Sequence, residues 1–323
     1  MFTHLKNTIA LAAILVMHCS LCAKGAVQDT VKTGVYITSI HNIDFKQKEY
    51  TIDLWLWLRY KNRKFDFAQN LEIPMAKNVT RSYLTSDTTA DSSIYMLMKL
   101  QCVMKDEWKV DNFPFDRQNL RFSIENSQFD SSTLLFIADT AGQHFDKKFT
   151  LRKWSIDSIL ITTGNRVYET AFGDAAAQTP KSVYSNYRVK MVVTRNAMGI
   201  FWKLFLGMYL SFLIAYMCFY IHIDSIDSRF SLAVGALFAV VGNKYIVDSS
   251  LPESSTFTLV DTLHGITLFF ILIIMMSNAY VLKLSKQGNE RGIIHFDKLC
   301  ARAMLAAYVL LNVWFIYMAC CKQ

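Results

Sequence analysis

Ionisable residues set inside or beside apolar segments are the first chemical signal in this sequence. His264 lies within the apolar run from Phe257 to Leu284, and Lys244 and Asp248 stand four residues apart. Asp224, Asp227 and Arg229 cluster beside a further apolar stretch. Ionisable groups at hydrocarbon depth are costly, so they mark ion or proton pathways or pair with one another. A lone His there equally serves by donating to a backbone carbonyl. Asp227, Ser231, Gly235, Phe238, Gly242 and Tyr245 are spaced 4, 4, 3, 4 and 3 residues apart, one stripe of an α-helix. Glycines in such a stripe let helices approach closely. Catalytic signals are missing: there is no HExxH, no Gly-rich phosphate loop and no Ser/His/Asp set in suggestive places. No CxxC or His/Cys spacing suggests a metal, so neither an enzyme nor a cofactor is expected.

A second unusual stretch is KVDNFPFDRQNLRF, residues 109–122, which sets Phe113, Pro114, Phe115 and Asp116 in a turn between two strands. Apolar aromatics in a turn require a cover.

The elements that must position these residues fall into two halves. The chain has 323 residues, 52% apolar and 19% charged, with the apolar excess after residue 199. From about 33 to 195 the periodicity is two, as in Tyr50 to Leu58, with further strand-like pieces at 94–104, 119–125, 133–138, 154–162 and 183–194. That spacing predicts an all-β, immunoglobulin-like sandwich over 26–197. Thr85 to Ser93 and Phe172 to Lys181 read as loops by composition. Four spanning helices are expected within 198–323, at 200–223, 227–249, 256–284 and 296–319.

Lys6, the apolar run Ile9 to Met17 and Ala23-Lys24-Gly25 read as an export signal over 1–25. Lys283, Lys286, Arg291 and Lys298 cluster around the third connection, which the positive-inside rule assigns to the cytoplasm. Both the sandwich and the C-terminus then lie outside a plasma (inner) membrane. Cys102 is the one cysteine expected in the exported part, so no disulfide framework forms there. The net charge of +8 is scattered, with no basic block for nucleic acid.

An exported sandwich followed by four helices resembles a subunit of the pentameric ligand-gated ion channels. Phe113-Pro114-Phe115-Asp116-Arg117-Gln118 is similar to that family's FPFDxQ signature, and Ile40-x-x-Ile43-Asp44 to the loop joining its first two strands. Thr194-Arg195 stands where the family has an arginine before its first helix, and Leu251-Pro252 after its second. The cysteines that bracket the signature in animal members are replaced by Asp106 and Leu120, so the likeness is to the bacterial, disulfide-free branch. The first helix also lacks the prolines usual in relatives.

The resemblance implies a homopentamer around a central pore, with the 109–118 turn resting on the outer ends of the helices. Asp116 and Asp44 would converge on Arg195, with Pro252 in the adjoining linker. The stripe from Asp227 to Tyr245 would line the pore: Asp227 as a ring selecting cations, Phe238 and Tyr245 as constrictions. Arg229 would point away and pair with Asp224 or lipid phosphate. The Pro-Ala insertion of anion-selective relatives is absent. Agonist residues implied by position are Glu125, Phe129, Tyr168, Phe172 and Tyr184 on one face, and Trp55 and Trp57 on the complementary one. A carboxylate beside aromatics suits an amine; protons are the rival trigger. Expected partners are further copies of the chain, a small agonist or protons, membrane lipids and permeant cations, with no nucleic acid. The alternative is a non-conducting sensor or ligand-binding module of the same fold.

Overall fold

The computed structural model describes residues 28–321, apart from 147–150, 152, 175–178, 252–253, 255 and 288–289. The expected signal (1–25) and Pro252 lie outside the described residues. Among the described residues nine strands form two sheets: β1 (Asp29–Asp44), β2 (Glu49–Tyr60), β3 (Leu71–Glu72), β4 (Ala76–Thr88), β5 (Ile94–Lys105), β6 (Arg117–Asn126), β7 (Leu134–Ala138), β8 (Trp154–Tyr168) and β9 (Ser182–Arg195). One sheet runs β4-β5-β2-β1-β7 and the other β3-β6-β9-β8. Pairing is antiparallel except between β1 and β7.

Alternation explains the core. Leu54, Leu56 and Leu58 of β2 are fully buried and share one core with Leu120, Phe122 and Ile124 of the second sheet, while Trp55 and Trp57 alternate to the other face. Gly34 on β1 is required because Trp57 lies over it: a Cβ there would come within 2.3 Å of the indole. Residues 85–88, expected as loop, instead complete β4. Among the described residues this strand pairs only with β5, and it is exposed along nearly its whole length. An edge strand wet on both faces carries the polar composition of a loop. The turn is confined to the residues after it, where Thr89 and Ser93 close on Asp91.

Four helices follow, α1 (Ala197–Tyr216), α2 (Ile226–Asp248), α3 (Leu259–Lys286) and α4 (Glu290–Cys321), each long and apolar enough to cross a membrane. A 3₁₀ turn, Met217–Tyr220, closes α1. The helix α4 begins six residues before its apolar stretch, because polar residues such as Glu290 and Arg291 continue the helical hydrogen bonding outside hydrocarbon. Thr258 opens α3 with a capping box closed by Asp261.

The buried face of β2 generates a stability prediction. Leu56→Ala is expected to cost about 3 kcal/mol through lost burial and a cavity, against about 0.5 kcal/mol or less for the exposed Leu160→Ala. Chemical denaturation followed by tryptophan fluorescence measures both.

Candidate functional site

The FPF turn sits where the sandwich meets the helices. Phe113 and Phe115 are buried, and Phe115 packs on Phe201 of α1 at a centroid separation of 5.6 Å. Leu259 at the start of α3 donates its N–H to the Asp111 carbonyl at 2.8 Å, and the Thr256 hydroxyl donates to the Asp111 carboxylate. Phe115 is therefore covered by the near end of α1, whereas Phe113 is covered within the sandwich by Phe45 and Arg195.

At the centre of this junction Arg195, the last residue of β9, grips Asp116. Its Nε donates to Oδ1 at 2.6 Å and its Nη2 to Oδ2 at 3.1 Å, with both side chains buried. The guanidinium lies 4.0 Å from the ring centroid of Trp154, 4.5 Å from that of Phe45 and 4.9 Å from that of Phe113. Three aromatic faces and a bidentate carboxylate hold one cation. Gln118 adds an N–H to Asp116 at 2.7 Å and bonds both polar backbone atoms of Lys109, which sets the shape of the turn. The segment is closed behind it by a salt bridge from Arg121 to the buried Asp106. Asp44 does not join the cluster, contrary to expectation. Its carboxylate accepts the Gln47 N–H at 2.8 Å, because the tight β1–β2 turn presents a backbone donor much nearer than Arg195.

The stripe on α2 is exposed at every position: Asp227, Ser231, Gly235, Phe238, Gly242 and Tyr245. Phe238 is 69% exposed and Tyr245 75%. Arg229, Ala233, Ala236, Val240 and Val247 are buried on the other side. Nothing lies within 4 Å of a Cβ built on Gly235 or Gly242, so these glycines do not serve packing within the chain. The buried face is tied down by polar contacts. His264 meets Asn243 of α2 at 2.9 Å and donates to the Val260 carbonyl at 2.9 Å. Lys244 bridges Asp248 at 2.6 Å and Asp261 of α3 at 2.7 Å.

Arg229 corrects the expected pairing with Asp224 or lipid. It is buried, donates to the Ile221 carbonyl and forms a two-point bond with Asp297 of α4, at 3.2 and 2.8 Å. A guanidinium pointing inward cannot reach water, so it takes the carboxylate that the neighbouring helix offers there. Asp224 pairs with His222 instead.

On the second sheet, Tyr168, Phe172 and Tyr184 form an aromatic cluster with centroids 5.4 to 6.3 Å apart. Glu125 is buried beneath it, accepting from the Tyr168 hydroxyl at 2.8 Å and from the Asn186 amide. Burial, and then the hydrogen bond to Glu125 and its charge, push the Tyr168 phenol up to about 12. Arg166, which pairs with Tyr184 across the β8–β9 ladder, lies 3.5 Å from Glu125 and 5.0 Å from the Tyr168 centroid. Arg166 and Asn186 were invisible in the sequence because the β8–β9 register alone brings them here.

Phe129 leaves this group and packs on Phe65 at 4.9 Å. Trp55 and Trp57 belong to the other sheet. Trp55 meets Tyr83 and Lys99, and Trp57 donates to Asp139 at 3.1 Å. No protein-family model matches the chain, and no curated protein matches it.

The buried pair yields a prediction. Arg195→Ala is expected to cost about 3–5 kcal/mol, since it strands the Asp116 carboxylate. In Arg195→Ala/Asp116→Asn the loss falls well short of the sum of the two single losses. Thermal unfolding of the four proteins in one detergent completes the cycle.

Proposed function

We propose that the chain is one subunit of a homopentameric, ligand-gated, cation-conducting channel. The observation that carries this reading is the unpacked stripe of α2. A helix that buries Arg229, Ala233, Ala236 and Val240 against its own chain, and leaves Asp227 through Tyr245 bare, has a face for something else. The resemblance of the FPFDRQ turn and its ordered companion motifs to pentameric channels supports assigning that face to a central pore.

Five copies of Asp227 at one mouth would concentrate cations and repel anions. Rings of Phe238 and Tyr245 would close the path by excluding water when narrow. The glycines at 235 and 242 leave the bore open between them. Coupling would run through the Arg195–Asp116 pair, since β9 passes into α1 two residues after Arg195 and the FPF turn bears on α1 and α3.

The trigger we propose is a small external amine bound at the Tyr168, Phe172 and Tyr184 cluster, with Trp55 or Trp57 of the next subunit opposite. The cluster already holds a cation: Arg166 sits over Tyr168 and beside Glu125. An ammonium would compete with that guanidinium for the same carboxylate and ring, and its displacement would free the β8–β9 hairpin to move.

Reconstituted liposomes test the reading. Small primary amines are expected to evoke cation flux, and Asp227→Ala to lower the cation-to-anion permeability ratio. Tyr184→Ala is expected to raise the half-maximal amine concentration about tenfold. Flux evoked by acid and not by amines would reassign the trigger to protons. Silence under every stimulus, even with Phe238→Ala opening the constriction, would favour the non-conducting sensor, and particles without five-fold symmetry would overturn the assembly.

A further inference from the structure

The carboxylate under the aromatic cluster is held by groups that are themselves pinned. Glu125 of β6 is almost fully buried, its side chain 2% exposed. One of its oxygens accepts the Tyr168 hydroxyl and the other the Asn186 amide. That amide has no freedom to flip, because its side-chain oxygen accepts the Arg188 Nε–H at 2.6 Å. Arg188 is fixed in turn, donating from Nη2 to the Asn165 carbonyl at 3.0 Å. Each Glu125 oxygen keeps a second lone pair, the arrangement that a planar two-pronged donor satisfies.

Arg166 occupies that place without filling it. Its Nη1 stands 3.5 Å from Glu125, too far for a good N–H···O bond, and its Cζ lies 5.0 Å from the Tyr168 centroid. The side chain is 39% exposed, and its guanidinium makes no hydrogen bond among the described residues. The β8–β9 register sets its Cα opposite Tyr184, and from there the fork comes no closer to the carboxylate.

The charge around this seat favours a further cation. Burial first, and then the charges of Asp130, Glu72 and Glu125, push the Tyr184 phenol up. Against these three carboxylates stand two guanidiniums, and Arg188 is committed to the Asn186 and Asn165 oxygens. Glu72 has no ion-pair partner among the described residues. A free guanidinium carries no tether to the backbone. It can lie flat over Tyr168 while both prongs reach the open lone pairs of Glu125, whereas an ammonium is a point charge with no plane to stack.

We propose that this seat takes a guanidinium ligand in preference to an ammonium, and that Arg166 is a tethered competitor which the ligand displaces. The inference rests on the reading of the cluster as the external trigger site and is independent of what the α2 stripe lines. A seat filled by the chain's own cation binds a ligand more weakly, by the fraction of chains in which it is filled. Removing the Arg166 charge therefore strengthens ligand binding, the opposite of what losing a merely structural side chain does.

Isothermal titration calorimetry of the full chain in detergent, with methylguanidinium and methylammonium chlorides, tests it. Methylguanidinium is expected to bind at one per chain and about tenfold tighter than methylammonium. Arg166→Gln is expected to tighten methylguanidinium binding about tenfold, and Glu125→Gln to abolish it. Lys181→Gln, which removes a positive charge paired with Glu169 on the same hairpin, should leave it unchanged. Equal or reversed affinities for the two cations in the wild-type chain would overturn the guanidinium class, and that comparison needs no variant. Arg166→Gln binding no tighter than wild type, or a gain matched by Lys181→Gln, would overturn the competitor; no binding to either protein would overturn both. The expected binding in a chain that passes no ions would leave the seat standing and remove the channel. Amine-evoked flux indifferent to Arg166→Gln would do the reverse.

Discussion

A guanidinium sealed among three aromatic rings fastens the FPF turn to the end of β9, where the sandwich passes into the helices. Arg195 closes β9 and stands two residues before α1, while Asp116 closes the FPF turn that bears on α1 and α3. Burying both charges takes much of the free energy their attraction returns, so the pair contributes specificity more than net stability. An arginine suits the position because its planar fork satisfies both carboxylate oxygens and its faces stack on Trp154, Phe45 and Phe113. The sandwich base meets the helices through the Phe115–Phe201 contact and the hydrogen bonds of Asp111 with Leu259 and Thr256, and the pair holds the turn that carries them.

A second Arg–Asp pair performs the corresponding task at the far end of the bundle. Arg229 and Asp297 join the start of α2 to α4, and Lys244 with Asp248 and Asp261 ties the other end of α2 to α3. Between these fastenings α2 packs through small residues, Ala233 and Ala236, which bring it close to its neighbours. The helix is thus held firmly on one side and at both ends. Its opposite side is left bare from Asp227 to Tyr245, and the proposed pore rests on that asymmetry.

The aromatic cluster around Glu125 shows a different economy. A buried carboxylate must be neutralised or hydrogen-bonded, and here Arg166, Tyr168 and Asn186 do both. The chain meets the electrostatic demand of its own pocket with a side chain that resembles the proposed ligand in charge. The cluster's buried carboxylate is thereby satisfied by the chain's own side chains.

Much of this was legible along the chain, since periodicity and hydropathy depend on residue type and order alone. Alternation over Tyr50 to Leu58 placed a half-buried strand, the apolar runs placed four helices, and aromatics in the 109–118 turn announced a cover. The 4, 4, 3, 4, 3 spacing from Asp227 placed six residues on one helix face. Which partner a charge selects was not legible: Asp44 turned to its own backbone, Arg229 found Asp297, Phe129 joined Phe65, and Arg166 entered the cluster through strand register. Residues 85–88 at the end of edge strand β4 read as loop because their solvation matches that of a loop. A residue's type and neighbours determine which face it occupies, because helix and strand periods are local. The choice among several carboxylates or rings depends on distances of a few ångströms between segments remote in sequence, and only tertiary packing sets those.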